Sequence, residues 1–194
     1  MSRAERDKWD ERYRGGAYAR RTHPTALLSA WLDRLPRGRA LDVACGAGRN
    51  ALFLAARGHA VDAIDVSAAG LERGRAAAER LGLEIGWHCA DLEERPDALP
   101  PGPFDLVVWV RYVNATLWPP LVARLAPGGY ALVEQHLETS AEVVGPSGSR
   151  FRLAPHALER AAAGLAIVHY QEGLVADPDG RTAALAQLVA RRPG

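Results

Sequence analysis

The segment Leu41-Asp42-Val43-Ala44-Cys45-Gly46-Ala47-Gly48-Arg49-Asn50 constrains the fold more than any other part of the chain. Its apolar start, Ala40 to Ala44, reads as a short buried strand, and Arg49 to Arg57 reads as a helix stopped by Gly58. Gly46 and Gly48 join the two. Without side chains they let the backbone turn tightly and approach a ligand closely. A strand feeding directly into a helix commits the chain to a βα unit.

The alternation then continues. Ala60 to Ile64 reads as a second strand ending at Asp65. Ser67 is placed to cap a helix that runs to about Leu81, with Gly82 stopping it. Leu83 to His88 reads as a third strand, and the proline-rich stretch Glu94 to Pro103 as loop. Phe104 to Val110 is almost entirely apolar, as a strand covered on both faces should be. Leu117 to Leu125 reads as a helix, Pro127-Gly128-Gly129 as a turn, and Tyr130 to Gln135 as a fifth strand. Before the glycine segment, Trp9 and Tyr13 share one face of an N-terminal helix, and Ala26 to Leu35 forms another helix. After it, Pro155 to Gly164 reads as a helix. Leu165 to Leu174 and Arg181 to Ala190 read as strands around the turn Asp177-Pro178-Asp179-Gly180. Two strands so joined are antiparallel. The expected fold is α/β: a Rossmann-like, doubly wound, mostly parallel seven-stranded sheet with a C-terminal antiparallel hairpin, in one domain over residues 1–194.

Composition narrows the function. With 24 basic and 23 acidic residues the net charge is +1, which gives no electrostatic footprint for a nucleic-acid backbone. No apolar run approaches the roughly 20 residues that span a bilayer. Met1 to Tyr13 is charged and lacks an apolar signal core. Cys45 and Cys89 are too few for a disulfide scaffold, and no metal-ligand spacing occurs. Cys45 reads as a small filler and Cys89 as a buried residue at a strand end. The expectation is a cytoplasmic protein with no metal, nucleic-acid or membrane partner, acting as a monomer or homodimer.

Acidic residues recur where strands end, and ligands of open α/β sheets bind outside those carboxyl ends. A carboxylate at Asp65 is suited to both hydroxyls of a ribose. Asp91 follows the third strand, where it can accept from a purine's exocyclic amine, and Leu92 offers a backbone N–H to a ring nitrogen. Gly46 to Ala51 also fits the dinucleotide fingerprint G-x-G-x-x-A. Asp42 argues against a dinucleotide, because it repels a pyrophosphate and welcomes an ammonium. The chain is also short for a separate dehydrogenase domain, and a C-terminal hairpin is foreign to the simple dinucleotide fold.

The ordered set Asp42-x-x-x-Gly46-x-Gly48, Asp65, Asp91-Leu92, Phe104-Asp105-Leu106-Val107-Val108 and Ala126-Pro127-Gly128-Gly129 resembles the class I S-adenosylmethionine-dependent methyltransferases. The run Gly48 to Ala55 and the Trp9/Tyr13 pair resemble the TehB and thiopurine methyltransferase branch. One departure is Ala44, where many members carry a third glycine. The resemblance implies S-adenosylmethionine as cofactor and S-adenosylhomocysteine as product. It places Asp42 and the Gly46 and Gly48 backbone toward the methionine part, Asp65 on the ribose, and Val66, Asp91 and Leu92 on the adenine, and it counts Ala44, Asn50, Trp9 and Tyr13 among the cofactor-binding residues. It makes residues 1–36 a helical lid bearing Trp9 and Tyr13, residues 37–136 the cofactor-binding core, and residues 137–194 the acceptor loop, helix and hairpin.

Methyl transfer from a sulfonium is an in-line displacement, so the protein mainly aligns the reactants and excludes water. Acceptor groups are therefore expected beyond the fourth and fifth strands. Arg111 is a candidate holder of an anionic acceptor, or a partner of a nearby carboxylate, and Tyr112 a wall of the pocket. His136 is the best-placed general base. The N-P-P-Y and D-P-P-Y signatures of amino-group methylation are absent, and the expected acceptor is a small molecule, such as a thiol or metalloid oxyanion; methylation of a small metabolite's oxygen or nitrogen, or a non-catalytic adenosylmethionine-binding module, are the alternatives.

Overall fold

In a computed structural model, residues 3–194 are described, with side chains from Arg6 onward. Met1 and Ser2, where the sequence reading begins the N-terminal segment, lie outside the described residues.

Seven strands form one sheet: β1 (Arg39–Val43), β2 (Ala60–Asp65), β3 (Ile85–Cys89), β4 (Phe104–Val110), β5 (Leu125–His136), β6 (Ala166–Ala176) and β7 (Thr182–Arg191). Their spatial order is β3-β2-β1-β4-β5-β7-β6. The first five are mutually parallel. β7 runs antiparallel to both β5 and β6, so the doubly wound, mostly parallel sheet closes with the expected hairpin. The order reverses at β1, whose carboxyl end opens onto the switch point where such folds bind ligands.

Six α-helices accompany the sheet: α1 (Arg3–Arg14), α2 (Ala26–Trp31), α3 (Arg49–Ala55), α4 (Ala68–Leu81), α5 (Trp118–Arg124) and α6 (Ala157–Ala161). Successive strand residues point to opposite faces, and both faces are apolar. On one, Ala40, Ala63, Leu106 and Val108 pack on Leu28, Leu54 and Leu71 of α2, α3 and α4. On the other, Leu41, Val43, Val107 and Trp109 pack with Leu121 of α5 and Leu158 of α6. Phe104 is fully buried; truncating it to alanine costs about 3–5 kcal/mol.

The predicted stops of α4 hold. Ser67 Oγ accepts from Gly70 N at 3.0 Å, and Gly82 ends the helix in the left-handed region at φ 64°. Several element boundaries differ from the sequence reading, β3 for one beginning at Ile85 rather than Leu83. The second helix is α-helical only to Trp31 and finishes as a 3-10 turn over Leu32–Arg34. β5 begins at Leu125, not Tyr130, because Leu125 already pairs with Phe104. The ladder then bulges and resumes at Tyr130 opposite Leu106. Gly128, at φ 79°, lets the chain loop out, and Gly128 N and Gly129 O are paired with Arg192. The helix expected over Pro155 to Gly164 shrinks to Ala157–Ala161, since His156 enters it at φ 61°.

Candidate active site

The turn after β1 is conformationally unusual. Ala44, Gly46 and Gly48 have φ of 54°, 58° and 74°. A left-handed alanine costs free energy, and such strain collects at functional turns. Two carboxylates brace this turn. Asp42 Oδ2 accepts from Ala51 N at 3.0 Å at the start of α3. Asp65 accepts from Gly46 N at 2.7 Å through one oxygen and from Ser67 N at 2.8 Å through the other. Burial raises both acids, Asp42 to about 7. Asp42 is 1% exposed, so its visible work is to hold the turn onto α3.

Helix α1 lies across this turn. A Cβ on Gly46 would stand 2.1 Å from the Tyr13 hydroxyl oxygen, so only glycine admits the ring so close. Asp10 fastens the helix, accepting from Ser67 Oγ at 2.6 Å and Ala69 N at 3.1 Å at the start of α4. Arg73 of α4 donates to the Tyr13 and Ala17 carbonyls. Trp9, Tyr13 and Tyr18 form an aromatic cluster with centroids 5.9–6.4 Å apart. Sequence reasoning found Trp9 and Tyr13 but missed Asp10. Its only signal was its place between them on the same short helix.

At the third strand end, Asp91 Oδ1 accepts from Glu93 N at 2.9 Å and shapes the turn there. Leu92 is buried in the core beside β4, and Val66 lies half-buried after β2. Cys45 is buried as expected; Cys89, expected to be buried, is exposed, because β3 is the outer strand of the parallel half.

The acceptor side is organised by a polar knot. Arg111, at φ 58° just past β4, donates from Nε to Glu134 Oε1 at 3.0 Å. Its two terminal nitrogens donate to Asp177 at 2.8 and 2.5 Å. Glu134 Oε2 accepts from Thr25 Oγ1 at 2.9 Å and Gln187 Nε2 at 2.8 Å. Asn50 Oδ1 accepts from Thr25 N at 3.0 Å. Burial works against the charge on Arg111, but the two carboxylates outweigh it and keep it charged. Of the two roles expected for Arg111, the pairing with nearby carboxylates is the one seen, to Asp177 and Glu134. Asn50, expected among the cofactor-binding residues, is buried with its Oδ1 tied to Thr25 N. Glu134, Asp177, Thr25 and Gln187 were missed. A glutamate inside an apolar central strand was the available signal, and β7 places Gln187 opposite it.

Tyr112 is half-buried, and its hydroxyl accepts from Asn114 Nδ2 at 3.2 Å. His136 ends β5 at 7% exposure, with Nδ1 buried and unpartnered. Burial, then Arg111 and Arg152, push its pKa down to about 4, so the ring is neutral at pH 7. No group of metal-ligating side chains occurs among the described residues. No helix among them is long and apolar enough to cross a membrane.

Residues 40–129 match the methyltransferase domain family. Over 139 residues the chain is 36% identical to the ribosomal protein L11 methyltransferase of Bordetella parapertussis, the alignment covering 67% of this chain and 42% of that protein. The chain thus spans about two fifths of that relative's length. The structure superposes on TehB from Haemophilus influenzae with a TM-score of 0.74 at 21% identity, covering 91% of this chain and 66% of that one. It superposes on the Burkholderia thailandensis 1,6-didemethyltoxoflavin-N1-methyltransferase, solved with its substrate and S-adenosylhomocysteine, with a TM-score of 0.69 at 17% identity, covering 97% and 87%. At such identities the structural likeness is one of fold. Residues 40–129 thus match a methyltransferase domain, and with its sheet order and glycine turn the chain is similar in fold to TehB.

Proposed function

We propose that the crevice at the switch point binds S-adenosylmethionine and that the chain transfers its methyl group to a small molecule in the cytosol. The observation that carries this reading is the Asp65 carboxylate beside the left-handed Gly46 turn. An ionised carboxylate has about four acceptor positions. Gly46 N and Ser67 N use one on each oxygen, so Asp65 retains capacity for a ribose diol. The residues present therefore fit the nucleoside.

When bound, S-adenosylmethionine supplies an electrophilic methyl on a positively charged sulfur. The chain's own part is to bind, orient and exclude water. Asp65 takes the ribose, Asp91, Leu92 and Val66 the adenine, and the backbone at Gly46 and Gly48 admits the methionine part. Asp42 holds that turn onto α3 through Ala51 N. Helix α1 acts as a lid, with Trp9 and Tyr13 as its inner face. Tyr112 borders the acceptor, and His136, being neutral, is able to take a proton where the acceptor must lose one. So low a pKa makes His136 a weak base, which favours acceptors already deprotonated or carrying a free lone pair, such as thiolates or oxyanions.

Calorimetry separates the cofactor readings: S-adenosylhomocysteine should bind, and tighter binding of NAD would overturn the assignment. A labelled methyl donor offered with thiols, oxyanions, amines and phenols then tests the activity. Transfer to none of these would make the chain a binding module instead.

A further inference from the structure

Sequence logic makes Arg111 either the holder of an anion or the partner of a carboxylate, and the fold uses that guanidinium on two carboxylates. Another arginine reaches the same strand end. Arg152 follows the 3-10 turn Ser149–Phe151 and is drawn against β5 by the Leu153 N to His136 O bond of 2.7 Å. Its Nε donates to Pro146 O and its Nη1 to Leu137 O, each at 2.8 Å. Both partners are carbonyls. Nη2 makes no bond to a described residue, and no described carboxylate pairs with this guanidinium.

Beside it stands His136, with Nδ1 buried and unpartnered. The two groups converge under the loop. A Cβ on Gly145 would lie 2.9 Å from His136 Nδ1 and 3.4 Å from Arg152 Nη2. An imidazole nitrogen buried without a partner costs free energy until something satisfies it, and the guanidinium fixed beside it has an unspent N–H. An anionic oxygen does so, since Arg152 and the Nδ1–H tautomer of His136 both donate to it, and such charge-assisted bonds are the strong ones.

We infer that the methyl acceptor carries an anionic oxygen group, and that Arg152 and His136 receive that group beneath the loop closing at Gly145. This rests on the methyl-transfer reading for the word acceptor, but the anion site itself stands on the geometry of two side chains. Arg152 is then a specificity residue. The sequence hides it because it sits in a loop, fifteen positions beyond Leu137, whose carbonyl it binds.

The test uses the full chain saturated with S-adenosylhomocysteine and titrated with benzoate or with neutral benzamide, followed by the His136 imidazole resonance. Benzoate should shift that resonance saturably and bind at least roughly tenfold more tightly than benzamide, the scale of one bond to a charged group. Arg152→Leu should abolish the difference and Arg152→Lys should restore part of it. Arg152→Gln keeps a donor for the loop carbonyls, and thermal unfolding confirms that each variant is folded. An absent or unsaturable shift, equal binding of both probes, or an unchanged benzoate response in folded Arg152→Leu would overturn the inference. So would a tenfold loss of S-adenosylhomocysteine affinity in Arg152→Leu, which would assign the guanidinium to the cofactor's own carboxylate. Failure of S-adenosylhomocysteine to bind wild type would instead sink the methyl-transfer reading. The benzoate titration would then be read on the unloaded chain, with the same criteria.

Discussion

The Asp65 carboxylate and the Gly46 amide are 2.7 Å apart, so the last residue of β2 holds the turn that leaves β1. Any ligand reaching one meets the other. Asp65→Ala removes this brace along with the proposed ribose contacts and should weaken S-adenosylhomocysteine binding by about 1–3 kcal/mol. Asp65→Asn keeps one acceptor oxygen and should fall between. Isothermal calorimetry decides, and unchanged affinity in the alanine variant would take Asp65 out of the site.

Gly46 is constrained twice, by its φ of 58° and by the Tyr13 hydroxyl 2.1 Å from the place a Cβ would take. Gly46→Ala should destabilise the protein by about 1–3 kcal/mol. Adding Tyr13→Ala relieves the collision but not the backbone strain. The double variant should therefore be less damaged than the sum of the two single changes. Urea unfolding of the four proteins measures the coupling; strict additivity would mean that the ring and the turn do not meet.

Asp42 is pushed up to about 7 by burial, the Ala51 N–H and Arg49 pulling against that rise and Asp65 adding to it. Its unfolded value is about 3.9. Between those values the folded chain binds more protons than the unfolded one, so stability falls as pH rises through the window. Asp42→Asn lacks this term and should gain on wild type between pH 4 and pH 7. Some slope will persist, because Asp65 is raised for the same reason. Parallel stability curves for the two proteins would contradict it.

Removing Arg111 leaves Glu134, 1% exposed, and Asp177, 8% exposed, without their cation. Arg111→Leu should cost about 3–5 kcal/mol, the scale for stranding a buried charge. Arg111→Lys should recover only part, since it cannot reproduce the forked contact to Asp177. Thermal melts of the three proteins test this, and a leucine variant as stable as wild type would show that the knot is dispensable.

His136 should act through its neutral form. With its pKa pushed down to about 4, single-turnover transfer should be flat through neutral pH and fall only below about pH 5. His136→Gln should turn over more slowly, keep its cofactor affinity and lose the acid limb. The same depression makes acid destabilising. The unfolded ring takes up a proton near 6.5, and the folded one resists until about 4, so this contribution is lost as pH falls through that range.

The sheet was legible because its signals are local. Gly46 and Gly48 mark the first crossover, Ser67 and Gly82 bracket α4, and the run Phe104 to Val110 announces a strand buried on both faces. The β5 bulge was not, because Pro127-Gly128-Gly129 looks alike whether it ends a ladder or interrupts one. Only the pairing with Phe104 and the bonds to Arg192 decide. The site divides the same way. Asp42, Asp65 and Asp91 occupy strand ends, which sequence marks. The fates of Arg111 and Asn50 depend on Asp177, Glu134 and Thr25, which lie 23 to 66 positions away and meet them only once the chain has folded.

The seat of Tyr13 against Gly46 has a kinetic side. A visitor to that turn must share the space with a phenol anchored on a separate helix, so arrival and departure follow how often that helix lets go. Asp10 and Arg73 set that frequency by tying the helix to α4. Natural or designed changes at these two positions would alter how long the nucleoside stays without altering a single atom that grips it.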